Sequence, residues 1–196
     1  MHDTNHSGQK QVVAVGCSQS KKSIVRPLPA ADRYKGGYWT VKRRYGEQVG
    51  CSWRIISAEY GVLDPTKPIL DYDTEPEDLR DVQSDSEQVL YSGERIKTLL
   101  DEWVREVGEN LRSWVQSEQA STSDPVRLHI VLGDRYFQPL ADGGVIELLR
   151  ELPSVDVFCP FQEIGFEGNG KQMSWMNSQI AAAEDHPSLS DDFGTP

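Results

Sequence analysis

"VVAVGCSQSKK", residues 12–22, is the stretch on which the fold turns. Four apolar residues run unbroken into a glycine, and the chain then becomes polar at once. A strand with one wet face alternates apolar and polar side chains. An unbroken β-branched run suits a strand buried on both faces, as in a parallel sheet covered by helices. Gly16 at its end lets the backbone turn sharply. Three further runs share this character: Trp53–Ser57 ("WRIIS"), Leu128–Leu132 ("LHIVL") and Val155–Phe158 ("VDVF"). Segments of helical period separate them. Tyr38, Val41, Tyr45 and Val49 fall on one face, with Lys42, Arg43 and Arg44 pointing elsewhere. A longer stripe from Ile96 to Val115 runs through residues 93–117, and 143–152 and 170–183 read as two more helices. Strands alternating with helices predict an α/β fold, a Rossmann-like three-layer sandwich with a mostly parallel central sheet of at least four strands. Residues 11–182 are expected to form one domain, with 1–10 and the acidic stretch 183–196 disordered. Residues 65–92 are too long for a simple connection, and Gln116–Pro125 reads as a mobile linker.

The net charge is −11, which suits either plain solubility or a halophilic, high-salt setting. Its distribution says more. Between Lys21 and Arg54 nine basic residues face only Asp32 and Glu47. That segment is either a cationic field for an anionic ligand or a solvated helix face paired with acids elsewhere. Three widely spaced cysteines argue against a disulfide framework and for a reducing cytoplasm. There is no long apolar run and no apolar leader, so a cytoplasmic location is expected and no membrane partner. No spacing of ligands suggests a metal, and no motif names a cofactor.

In open parallel sheets, ligands bind outside the carboxyl ends of the strands. All four segments after the strands are polar there. After the first come Cys17, Ser18 and Lys21. Backbone N–H groups, a hydroxyl and a lysine in such a loop can cradle an anion. Cys17 is either a nucleophile or a small buried residue. After the second strand, "ISAEYGVLDPTKPILDYD" (56–73) carries Ser57, Glu59, Tyr60, Tyr72 and Asp73. A tyrosine here can stack on a flat base and a carboxylate can read its edge or move protons, unless the stretch is only turn chemistry. After the third, "GDRYFQPL" offers Asp134 as a base or as a helix N-cap. Its Arg135 is a phosphate or carboxylate fork or an ion-pair partner, and Tyr136 is a pocket wall. His129 lies within a strand and reads as a satisfied core histidine.

The ordered segments "GCSQSKK", "RYKGGYW", "WRIISAEYGVLDPTKPILDYD", "VLGDRYFQPL" and "GNGKQMSWMN" resemble an uncharacterised family of small α/β proteins of archaea, bacteria and phages. One departure is Glu59, where that family often carries a basic residue. The Ser57, Tyr60, Gly61, Leu63, Pro65, Ile69 and Tyr72 spacing is similar to a segment of the peroxide stress protein family, whose members are credited with DNA binding. The cysteine–serine–lysine loop also resembles the uracil-DNA-glycosylase-like domain of archaeosine synthases, which act on a modified base in transfer RNA. The glycosylases' water-activating motif and histidine loop are absent.

These readings converge on a nucleobase-, nucleotide- or nucleic-acid-directed protein with a pocket at the carboxyl edge of the sheet. Lys21 and Arg135 would hold an anion, Tyr60 or Tyr72 would stack, Asp73 or Asp134 would act as acid or base, and Cys17 as nucleophile. One alternative is a non-catalytic nucleic-acid-binding module whose surface is Trp39, Lys42, Arg43 and Arg44. Another is an enzyme acting on a small phosphorylated metabolite.

Overall fold

A computed structural model describes residues 8–166 and 168–185. The remainder of the expected disordered ends lies outside them. The central sheet has five strands in the order β4-β3-β1-β6-β7. These are β1 (Lys10–Gly16), β3 (Ser52–Ser57), β4 (Gly61–Leu63), β6 (Val126–Val131) and β7 (Val155–Phe158). β1 pairs in parallel with both β3 and β6, and β6 with β7. The four runs read from the sequence are these four parallel strands. Val12, Val13, Ala14 and Val15 are all fully buried, each Val contributing on the order of 1.5–3 kcal/mol. Their pleat divides them. Val12 and Ala14 pack with α4 (Leu99–Ala120), α5 (Asp134–Asp142) and α6 (Val145–Arg150). Val13 and Val15 pack with α2 (Gly37–Val49), α7 (Pro160–Ile164) and α8 (Gly168–Asp185).

The stretch 56–73 is more ordered than a loop. Ser57 pairs with Gly61 across a tight turn, and β4 returns antiparallel on β3 as the edge strand. Gly61 has φ +64, a left-handed conformation that glycine adopts without strain. Further on, β5 (Pro68–Ile69) pairs antiparallel with β2 (Leu28–Pro29), which leads into α1 (Ala30–Arg33). Local pattern cannot reveal two-residue strands, whose stability comes entirely from their partners. The long connection also holds α3 (Pro76–Arg80).

Helix bounds moved where caps decide them. α4 begins at Leu99 because Thr98 and Asp101 form a capping box, with Thr98 Oγ1 accepting from the Asp101 N–H at 3.2 Å. It continues to Ala120, so the first half of the expected linker 116–125 is helix. Lys42 was expected to face solvent and does not: it is 5 % exposed. His129 is a buried strand residue, its Nδ1 2.7 Å from Tyr45 OH and its Nε2 2.7 Å from Gln11 Oε1.

Candidate functional site

From β1 the chain moves to β3 on one side, and from β6 to β7 on the other. The connections that leave the carboxyl ends of β1 and β6 therefore run in opposite directions, which makes this pair the switch point of the sheet order. At the end of β1, α2 delivers Lys42, whose Nζ donates to Gly16 O at 2.6 Å and Cys17 O at 2.9 Å. A Cβ on Gly16 would meet Leu132 Cδ2 at 3.2 Å, so glycine permits this close packing. The ammonium also lies 4.7 Å from the Tyr38 ring centroid. Burial pulls Lys42 down to about 8, and nearby Cys17 opposes the shift. Beyond this clamp the Cys17 N–H donates to Ile56 O at 2.9 Å, and its Sγ lies 3.1 Å from Tyr136 OH at the start of α5.

A second group of hydroxyls adjoins it. Ser57 Oγ accepts from the Glu59 and Tyr60 N–H groups, each at 3.2 Å, and donates to Tyr72 OH at 2.8 Å. Tyr72 OH is 2.7 Å from Tyr34 OH. Trp103 on α4 donates its indole N–H to Ser57 O at 2.8 Å and meets the Tyr136 ring at 5.9 Å. Burial raises Tyr34, Tyr72 and Tyr136 well above the ordinary phenol range, and Cys17 adds to each shift. These phenols are neutral at pH 7. They can donate hydrogen bonds to a ligand, and none is a ready tyrosinate base.

Lys21 joins this cluster to an open cleft. Its Nζ sits 4.2 Å from the Tyr72 ring centroid. The cleft, about 470 Å³, is lined by Gln19, Lys21, Ser23, Asp71, Tyr72 and Asp73. A larger cleft of about 750 Å³ lies along α4, where Glu102, Glu106 and Glu109 repeat on one helical face. It contains none of the strand-end groups, and repeated carboxylates at this spacing are what a solvated helix carries. Among the described residues no group of three or more His, Cys, Asp or Glu side chains is arranged to hold a metal ion.

Cys17, Lys21, Ser57, Tyr72 and Tyr136 thus come together, with Tyr60 edge-on to Tyr72 at 5.2 Å and Asp73 on the cleft wall. Other expected residues are engaged elsewhere. Arg135 is ion-paired with Glu75 at 2.8 Å, so the ion-pair alternative describes it. Gly133, and not Asp134, is the N-cap of α5, and Asp134 Oδ1 accepts from Gln162 Nε2 at 3.3 Å. Glu59 accepts from Thr74 Oγ1, and Ser18 donates to Lys35 O at 3.3 Å. Trp39 is 3 % exposed and donates to Ala31 O. Arg43 pairs with Asp32 and Glu47, and Arg44 with Glu184. With Trp39 and Lys42 buried, the expected exposed surface of Trp39, Lys42, Arg43 and Arg44 does not form. Tyr34 and Trp103 were missed as site residues. Tyr34 had a signal, an aromatic within the quoted "RYKGGYW"; Trp103 looked like any other member of a helical stripe.

Residues 12–178 match the model of a family of unknown function (DUF6884), and the chain belongs to that family. No curated protein matches it.

Proposed function

We propose that this member of the DUF6884 family is directed at nucleotides or nucleic acid, and that its ligand occupies the cleft of Lys21, Tyr72 and Asp73. The observation that carries this is the joining of an anion-seeking lysine to a row of neutral hydroxyls beside the switch point of the sheet. Lys21 meets a phosphate. Asp71 and Asp73 accept from the amino or imino groups of a base, or from ribose hydroxyls. Tyr136 and Tyr72 donate, and Cys17 beside Tyr136 is the nucleophile if a covalent step occurs. The strand order and the two hydrophobic clusters support a Rossmann-like three-layer sandwich as the scaffold. The resemblances to peroxide stress proteins and archaeosine synthases point to the same ligand class.

Titration calorimetry with nucleoside monophosphates and short oligonucleotides tests this on wild type, Lys21→Ala and Asp73→Asn. Binding by wild type and a loss of at least tenfold in Lys21→Ala, with circular dichroism unchanged, is expected from removing one charged contact, about 1.4 kcal/mol or more. Absence of binding for every nucleotide and oligonucleotide would overturn it. A second reading, a small phosphorylated metabolite, draws on the cleft's about 470 Å³, within the ~300–1,000 Å³ usual for small-molecule sites. Equal affinity for a sugar phosphate lacking a base would favour it.

A further inference from the structure

The loop between β1 and β2 contains Lys21, Lys22 and Arg26 and no acidic residue. Every side chain from Lys22 to Pro27 is exposed, and Val25 is 97 % exposed with Ile24 at 38 % beside it. An apolar tip so open is expected to collapse or fray. Here it is tied down from beneath. Arg33 is 0 % exposed, and its two terminal nitrogens donate to Lys22 O at 2.6 Å, Ile24 O at 3.0 Å and Arg26 O at 2.9 Å, and to Ile69 O of β5 at 3.0 Å. Three alternate carbonyls of the loop turn inward onto one guanidinium. The side chains of the loop are thereby turned outward.

Burying a cation with carbonyls alone is costly, because a carboxylate partner would offset far more of the desolvation. Among the described residues no carboxylate pairs with Arg33, Lys21, Lys22 or Arg26. The fold thus holds an unneutralised positive charge under an already cationic loop and orders that loop before any partner arrives. On a chain of net charge −11 this is a local reversal of sign. Lys21 and Ser23 of the same loop line the Tyr72–Asp73 cleft, so the loop and the cleft form one continuous surface.

We propose that this loop is the docking element for a single-stranded nucleic acid. One nucleotide enters the cleft. The strand beyond it runs across Lys22 and Arg26, which meet its phosphates, while Val25 and Ile24 lie against a base. The inference rests on the nucleotide reading of the cleft and extends it from a monomer to a polymer. A single strand suits the site because an unpaired nucleotide enters a cleft without the unpairing and unstacking that a duplex would require. One fully exposed valine with three cations offers too little apolar area and charge for a membrane anchor, which combines a broad apolar face or lipid chain with a larger basic cluster.

The test is fluorescence anisotropy with a labelled single-stranded oligonucleotide of about 12 nucleotides, in DNA and RNA forms, alongside calorimetry with nucleoside monophosphates. The oligonucleotide should bind more tightly than the monophosphate. Lys22→Ala/Arg26→Ala should make the slope of log K against log salt less negative by about 1.4, at ~0.7 per phosphate on a single strand. Val25→Ser should weaken the oligonucleotide roughly tenfold, the value of one buried valine, and leave the monophosphate unchanged. All three positions are exposed, so the variants fold. Oligonucleotide binding no tighter than monophosphate binding, or unchanged by Val25→Ser, would overturn the loop inference and leave the cleft reading intact. Pelleting with phosphatidylserine vesicles without oligonucleotide binding would overturn it in favour of a membrane surface. Failure of both nucleotide forms would overturn the loop and the cleft together.

Discussion

Lys42 offers the sharpest physical test of the site. Its ammonium is buried against Gly16 O and Cys17 O, and burial holds it at about 8, against an ordinary 10.5. Below pH 8 the folded and unfolded lysines are both protonated, and the folded state carries the cost of a buried charge. Between 8 and 10.5 the folded lysine has released its proton while the unfolded chain still binds one, so this residue makes stability rise with pH. From about pH 7 to about pH 9 the effect integrates to roughly 1 kcal/mol. Cys159, pushed up to about 12, and the raised phenols of Tyr34, Tyr72 and Tyr136 act in the other sense, since their unfolded forms ionise first. Those contributions are shared by wild type and Lys42→Met and cancel in the difference. Urea unfolding at both pH values, followed by tryptophan fluorescence, should therefore show wild type gaining roughly 1 kcal/mol on the variant as pH rises. Any constant offset from the two carbonyls left without a donor does not affect this slope. Parallel curves for the two proteins would refute the reasoning, because Lys42 would then have no depressed ionisation to release.

Tyr72→Phe removes the hydroxyl shared by Ser57 Oγ and Tyr34 OH. Thermal unfolding should report a loss of about 1–3 kcal/mol, and a neutral result would mean the hydroxyl row does not hold together through Tyr72. Arg33→Met takes the donor from the carbonyls of Lys22, Ile24 and Arg26. Trypsin cleavage after Lys22 should then accelerate by at least ~10-fold, since local opening governs such cuts; an unchanged rate would show that the loop is ordered by something else.

The strands of the core were readable because burial on both faces leaves a local mark, an unbroken β-branched run such as "VVAVG". The meeting of Cys17, Ser57 and Tyr136 at the strand ends was readable for a related reason: once the strands are parallel, their carboxyl ends share one edge. The reading became unreliable where a residue's role depends on what lies opposite it. Arg135 and Asp134 follow a strand as a ligand-binding pair would, yet Glu75 from the long connection engages Arg135, and Gln162 donates to Asp134. Lys42 follows the solvent-facing pattern of its neighbours, but its stem runs inward to two strand-end carbonyls. Arg33 is a charged residue in a charged segment, and nothing in that composition marks it as buried.

By itself, then, the sequence determined the parallel strands, their separation by helices and the polar edge where Cys17, Ser57 and Tyr136 emerge. These follow from side-chain periodicity, which is a property of neighbours along the chain. The tertiary structure alone decided that Tyr72 meets Ser57 and Tyr34, that Lys42 clamps the end of β1, and that the basic segment divides. Part of that segment is spent on internal partners at Arg33, Lys42 and Arg43, part is left outward at Lys22 and Arg26, and Lys21 is half-buried against the Tyr72 ring. Those outcomes depend on contacts between residues far apart in the chain, where burial sets the cost of a charge and the geometry of the partners decides whether it is met.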